Sequence, residues 1–231
     1  MIASTHHLTS ITGVLLAGGQ SRRMFAGTAG GGDKGLLELA GEPMLGHVIA
    51  RLLPQCGALV INANGDPARF AGFRLPVCAD TITGQVGPLA GVLAGMRWSM
   101  QMVPLASHIA TISTDAPFVP HDLVARLASG LHDGAHNIAL ARSGGELHPV
   151  IGLWPVDLAD DLEASLKSGI RKVLAWTDRH GSCAVDFDFL ELAGRSVDPF
   201  FNANTREELA EARTLLAAVS REATVSGKSI R

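Results

Sequence analysis

Residues 11–37 read ITGVLLAGGQSRRMFAGTAGGGDKGLL. An apolar run over residues 11–17 has the character of a buried strand and stops at Gly18-Gly19. Arg22, Arg23, a glycine-rich stretch and then Asp33-Lys34 follow. A strand that gives way to glycines and cations suits a backbone that must approach phosphates. Glycine removes the side chain that would hold an anion away, exposed N–H groups point inward, and Arg and Lys bring charge. The stretch reads as a nucleoside triphosphate loop.

The rest of the chain supplies a frame for such a loop. Residues 58–62 (ALVIN), 75–78 and 108–113 (HIATIS) read as strands, as do 137–141, 147–154 and 183–187. Residues 36–39 form a brief extended piece, and 143–145 a turn. Pro43 takes the first position of a helix to about residue 53, with Met44, Val48, Ile49 and Leu52 at helical spacing. Further helices are expected over 66–70, 88–100, 120–131, 157–167 and 170–176. Gly87, Gly91 and Gly95 fall on one face of the second of these and permit close packing. A last amphipathic helix, 205–219, is capped by Thr205, and 220–231 reads as a loose polar tail.

Alternating strands and helices imply an α/β protein of three layers, Rossmann-like, with a mostly parallel sheet and helices on both faces. Ligands of such sheets bind beyond the carboxyl ends of the strands. Gly18, Asn62, Asp80 and Asp115 stand at four such ends.

Bulk properties narrow the partners. A chain of 231 residues, 47% hydrophobic and 18% charged, suits one compact domain, here residues 1–219. The net charge of -3 argues against general affinity for nucleic acid or an anionic membrane. No apolar run is long enough to span a bilayer, and the first ten residues carry no Lys or Arg ahead of the apolar run, so a cytoplasmic protein is expected. Cys56, Cys78 and Cys183 are odd in number and far apart, which suits reduced packing residues.

Two short patterns mislead. Residues 30–35 match G-x-G-x-x-G but do not directly follow a strand, and the ribose-binding acid is missing. Residues 27–34 approach a P-loop, yet Asp33 precedes the lysine and Gly35 replaces the hydroxyl residue that would hold Mg²⁺.

A longer ordered set is far more specific. Leu16, Ala17, Gly18, Gly19, Ser21, Arg23 and Met24 spell L-A-G-G-x-S-x-R-M, and Asp33-Lys34 follows. L-L-E-L-x-G-x-P occupies 36–43, V-I-N-A-N 60–64, G-P-L-A-G 87–91 and T-D-A-P 114–117. His148-Pro149 and F-x-N-x-N-T at 200–205 complete it. Over residues 11–209 the chain resembles the molybdenum cofactor guanylyltransferases.

That resemblance implies a nucleotide-diphospho-sugar-transferase-like fold with a nucleotide half, about 11–117, and a pterin-acceptor half, about 118–219. It implies transfer of GMP from GTP to the terminal phosphate of molybdenum-molybdopterin, with Mg²⁺ as cofactor. Arg23 and Lys34 would neutralise the triphosphate, and Asp115 would be the Mg²⁺ ligand, as a hard cation prefers carboxylate oxygen. Leu16, Ala17, Gly18, Gly19, Lys34, Asn62, Asp80 and Asp115 would bind nucleotide, Asn62 at the guanosine. His148, Asn202 and Asn204 would line the pterin side. Transient contacts with proteins that supply and accept the cofactor follow from the same likeness.

Two alternatives stand beside it: a molybdopterin cytidylyltransferase of the same fold, and a non-catalytic module that binds nucleotide or cofactor for delivery. L-A-G-G rather than L-A-A-G, with F-x-N-x-N-T, favours guanine. The chain departs from the family pattern at Phe25, where glycine is usual, and in residues 25–32, a longer link to Asp33-Lys34.

Overall fold

The computed structural model describes residues 10–18, 33–84, 87–131 and 134–225. β1 (Ile11–Leu16) is buried along almost its whole length. A single 3-10 turn, Lys34–Leu36, leads into a small hairpin, β2 (Glu38–Leu39) and β3 (Glu42–Pro43). Ala40 and Gly41 turn it with φ of +54° and +91°, the left-handed geometry that a two-residue hairpin demands. Pro43 therefore ends a strand and caps α1 (Met44–Leu52) from outside, rather than occupying its first helical position.

β4 (Ala58–Asn62) and β5 (Val77–Cys78) flank a 3-10 helix at Pro67–Phe73, capped by the Asp66 carboxylate. α2 (Pro88–Met102) precedes β6 (His108–Ser113), and α3 is shorter than expected, Leu123–Ser129. β7 (Ile138–Ser143) and β8 (Glu146–Pro155) form a hairpin whose two-residue loop, Gly144 and Gly145, has φ of +54° and +82°. α4 (Ala159–Lys167), α5 (Val173–Thr177) and β9 (Ser182–Phe187) follow. A second small hairpin, β10 (Leu190–Leu192) and β11 (Arg195–Val197), was not expected from the sequence. α6 (Arg206–Val225) continues past residue 219, so residues 220–225 are helical rather than a loose tail.

The main sheet has the order β5-β4-β1-β6-β8-β7-β9, and β8 alone runs against the rest. One sheet thus runs without a break from β5 to β9. Side-chain alternation sends Ile11 and Leu15 of β1, with Ala110 and Ile112 of β6, into a core under α1 and α3. Val14, Val60, Ile109 and Trp154 enter the opposite core under α2, α4 and α5. A third cluster packs Leu209, Ala212 and Leu215 of α6 on Leu39, Met44 and Phe118. These are the three expected layers, with α6 as an added brace.

β8 carries a proline where a ladder donor is missing. Pairing with β7 jumps from Leu140↔Gly152 to Ala141↔His148, so Pro149 sits in a bulge. The Thr111 hydroxyl donates to the Val150 carbonyl there at 2.8 Å and accepts from Trp154 Nε1 at 2.7 Å. The bulge is thus satisfied internally. Because β8 is antiparallel, its first residues lie at the edge where the other strands end.

Candidate active site

At the carboxyl edge, β1 ends in Leu16, Ala17 and Gly18, and Ala17 N–H donates to the Asn62 carbonyl at 2.9 Å. A Cβ on Gly18 would meet only Asn62 Oδ1, at 3.9 Å, so backbone and amide stand side by side. Asn62 is buried, and its Nδ2 donates to Asp80 Oδ1 at 3.0 Å and to the Cys78 carbonyl at 3.3 Å. Two acceptors on the nitrogen fix which way the amide points. Oδ1 therefore faces Gly18 and Gly91, and among the described residues no donor reaches it. Asn64 holds Asp80 from the other side: its Nδ2 donates to Asp80 Oδ2 at 2.8 Å, and Asp80 N–H donates to Asn64 Oδ1 at 2.9 Å. The sequence pointed to Asn62 and Asp80 separately; the structure joins them through one hydrogen bond.

Gly91 makes this closeness possible. A Cβ there would collide with Asn62 Oδ1 and come within 2.8 Å of Leu16 Cδ2. Gly95, one turn on, lets α2 approach Val14. Gly87 serves differently, as the residue before the helix with φ of +78°.

Lys34 occupies the turn that follows the glycine-rich stretch. Asp33 caps that turn by accepting from Gly35 N–H at 3.1 Å and lies 3.7 Å from Arg69 Nε. Burial raises the Asp33 carboxyl above its ordinary range, opposed by the Gly35 hydrogen bond and the Arg69 charge. Arg69 is itself tied to the carbonyls of Asp66 and Asn64. No sequence pattern singled out Arg69, a cation within the 3-10 helix.

The missing P-loop hydroxyl at position 35 has a steric reason. A Cβ on Gly35 would stand 3.0 Å from both Cβ and Oγ1 of Thr114, so any side chain there would press on the residue that follows β6. From that seat Lys34 Nζ donates to Asn204 Oδ1 and stands 3.6 Å from Asp115 Oδ2. Side-chain exposure is 19% for Lys34 and 13% for Asp115, so both charges are largely shielded. The Ser113 hydroxyl donates to Asp115 Oδ1, and Ala203 N–H donates to the Asp115 carbonyl at 3.2 Å. Lys34, Asp115 and Asn204 are thereby brought together from three distant parts of the chain. Asn204 sits against the lysine rather than against His148.

Asn204 is held by the start of α6. Thr205 Oγ1 accepts from Glu208 N–H at 3.1 Å, while Glu208 Oε2 accepts from the N–H groups of Asn204 and Thr205. That reciprocal cap is the one the Thr-x-x-Glu spacing provides. Among the described residues Asn202 Oδ1 is buried without a hydrogen-bond partner.

His148 stands at the start of β8, its ring 4.8 Å from that of Phe200. Burial lowers its pKa, against the opposing charges of Asp198 and Glu146. Its Nε2 lies 2.7 Å from Ser143 Oγ, which lies 2.8 and 2.9 Å from the two Asp198 oxygens. Ser143 reads in the sequence only as a turn residue, and no motif there marks Asp198. Gly19 and Arg23, singled out in the first loop, lie outside the described residues, as does the rest of 19–32.

Among the described residues no group of three or more His, Cys, Asp or Glu converges. A single shielded carboxylate beside a lysine fits Mg²⁺, which takes one or two carboxylates and completes its shell with substrate phosphates and water. No described helix is long and apolar enough to cross a membrane.

The chain is similar to known proteins along most of its length. It is 50% identical over 216 residues to a molybdenum cofactor guanylyltransferase of Bradyrhizobium sp. (strain ORS 278), covering 93% of this chain and 97% of that protein. It is 49% identical over 209 residues to one of Rhodopseudomonas palustris (strain BisB5), covering 90% and 95%. The crystal structure of molybdopterin-guanine dinucleotide biosynthesis protein A from Archaeoglobus fulgidus shares the fold. Its TM-score is 0.66 at 22% identity, over 90% of this chain and 98% of that one. The model of the MobA-like NTP transferase domain matches residues 13–182. With most of its length matched in this way, the chain belongs to the MobA-like NTP transferase family.

Proposed function

We propose that this chain is a Mg²⁺-dependent guanylyltransferase that joins GMP from GTP to the terminal phosphate of molybdenum-bound molybdopterin. A phosphate oxygen of the acceptor attacks the α-phosphorus in line, the bond to the β-phosphate oxygen breaks, and pyrophosphate leaves. The observation that carries this reading is the convergence of Lys34, Asp115 and Asn204 beside the Gly18–Asn62–Asp80 row, on a chain half identical to guanylyltransferases so named.

The chain's residues bind and orient rather than react covalently, which suits phosphoryl transfer, where positioning and charge supply most of the catalysis. Gly18 brings backbone close to the phosphates, with Leu16, Ala17 and Gly19 as its neighbours in sequence. Lys34, fixed between Asp115 and Asn204, offsets charge that grows on the leaving pyrophosphate, with Arg23 in the same task. Asn62 Oδ1 and the Asp80 carboxylate offer acceptors to the nucleoside. Asp115 would hold Mg²⁺, which would supply Lewis-acid charge at the phosphates. Asn202, with its unpartnered oxygen, and His148 hold the acceptor.

The test is pyrophosphate release from each NTP in the presence of Mg²⁺ and molybdenum-loaded molybdopterin. Release with GTP alone is expected. Release with CTP alone would replace the reading with the cytidylyltransferase, and release with no nucleotide would leave the delivery module.

A further inference from the structure

We propose that Asp198, acting through Ser143, locks His148 as the Nε2–H tautomer, leaving Nδ1 free to accept a hydrogen bond from the acceptor substrate. The inference rests on the reading that His148 faces that substrate. Its observation is the hydrogen-bond arithmetic at Ser143.

Ser143 Oγ carries one proton and stands within hydrogen-bond distance of three atoms. Asp198 Oδ1 and Oδ2 lie at 2.8 and 2.9 Å, and His148 Nε2 at 2.7 Å. A carboxylate accepts and cannot donate, so the hydroxyl proton goes to Asp198. The oxygen then has only lone pairs to offer the histidine, so Nε2 must carry the proton in that contact. Nδ1 is left as the ring's lone-pair nitrogen in neutral His148, and among the described residues nothing hydrogen-bonds to it.

The relay is built to hold. Ser143 is buried, and Asp198 Oδ1 also accepts from Phe200 N–H at 2.8 Å, which fixes the carboxylate to the chain two residues on. The Phe200 ring lies tilted against His148 at 4.8 Å and edge-on to Phe187 at 5.2 Å, so the imidazole also packs against an aromatic ring. Strand geometry makes the first contact. Ser143 pairs with Glu146 and Ala141 with His148, so Ser143 and His148 are diagonal neighbours on one face of the hairpin. Burial keeps the ring neutral more readily, while the nearby Asp198 and Glu146 charges pull the other way. A neutral, oriented imidazole with its acceptor nitrogen free suits a pterin N–H or a protonated phosphate oxygen. This arrangement differs from a nucleophilic triad, since the carboxylate touches the serine and not the histidine. Asp198 and Ser143 are thus positioning residues, neither of which needs to touch substrate.

The test is a ¹⁵N–¹H correlation spectrum of the histidine rings in the full-length protein, with His148 assigned by its loss in His148→Gln. A protonated, exchange-protected Nε2 and an unprotonated Nδ1 are expected near neutral pH in the wild type and in Ser143→Thr. In Ser143→Ala the protected Nε2–H signal should vanish. A wild type protonated at Nδ1 alone, or a protected signal that survives in Ser143→Ala, would overturn the relay. This readout needs no substrate, so it stands apart from whether guanylyl transfer occurs. With transfer established, Ser143→Ala should raise KM for the molybdopterin acceptor roughly tenfold, the scale of one lost hydrogen bond, while KM for GTP stays put and Ser143→Thr restores it. An unchanged acceptor KM would overturn the positioning role.

Discussion

Gly91→Ala tests whether the packing of α2 on β4 governs nucleotide binding. The added Cβ would overlap Asn62 Oδ1 and press on Leu16 Cδ2 at 2.8 Å, so the Asn62 side chain must move. Its two hydrogen bonds, to Asp80 at 3.0 Å and the Cys78 carbonyl at 3.3 Å, have no slack for such a shift. Their loss costs about 1 kcal/mol each, and overpacking about 1–3 kcal/mol more. Alanine returns about 1 kcal/mol through helix propensity. The net loss is about 2–4 kcal/mol, which for a chain of this size lowers Tm by roughly 5–15 °C.

Gly95→Ala is the matched control. Its Cβ would press on Val14 at 2.6 and 2.9 Å, an overpacking of similar kind, but it touches no residue of the candidate site. Calorimetric titration with GTP, well below both melting points, should show affinity about tenfold weaker in Gly91→Ala, and within about twofold of wild type in Gly95→Ala, since tenfold corresponds to one modest contact. Equal GTP affinity in the two variants would refute the link between Gly91, Asn62 and the nucleotide.

Three further outcomes are expected. Asp115→Ala should abolish transfer while circular dichroism stays native, and unchanged turnover at saturating Mg²⁺ would remove Asp115 as the metal ligand. Asp161 accepts from Trp176 Nε1 at 2.8 Å and His180 Nε2 at 2.7 Å, and the Trp176 hydrogen bond first, then His180, hold its carboxyl below the ordinary range. A depressed folded pKa contributes stability above the unfolded value, about pH 4, and loses it as pH falls through the folded one. The Tm difference between wild type and Asp161→Asn should therefore be larger at pH 7 than below pH 4, and a constant difference would contradict it. Burial pushes the Cys56 thiol up to about 12 and the Cys78 thiol up to about 11. Both should resist alkylation at pH 8 in the native protein and react once it is denatured, as peptide mass mapping would reveal; rapid native labelling would contradict their burial.

The sheet was legible because its strands are apolar and β-rich, and because Gly18, Asn62, Asp80 and Asp115 mark their ends. The direction of β8 was not legible, since alternation reads the same forwards and backwards; only the tight Gly144-Gly145 loop hints at it. Pro43 deceived because proline suits a strand end before a helix as well as a first turn. The β10–β11 hairpin, with Ala193 and Gly194 at φ of +51° and +70°, lacks the apolar run that would announce a strand. In the site, spacing found the residues that carry charge at strand ends. It missed Arg69, Ser143 and Asp198, whose partners lie far away in sequence or act through a neighbour. Asn204 was found, but no pattern reveals that it meets Lys34, 170 positions away.

That meeting has a consequence for synthesis. Lys34 and Asn204 are separated by 170 positions, and Asp115 receives its backbone bond from Ala203. A ribosome delivers these residues in order, so the lysine waits, without this anchor, until residue 204 has emerged. A fragment ending at residue 117 would hold the first loop and Asp115 but lack the groups that seat Lys34. Assembly of the candidate site therefore waits on synthesis through residue 204, and a shorter nascent chain does not present that site in its final form.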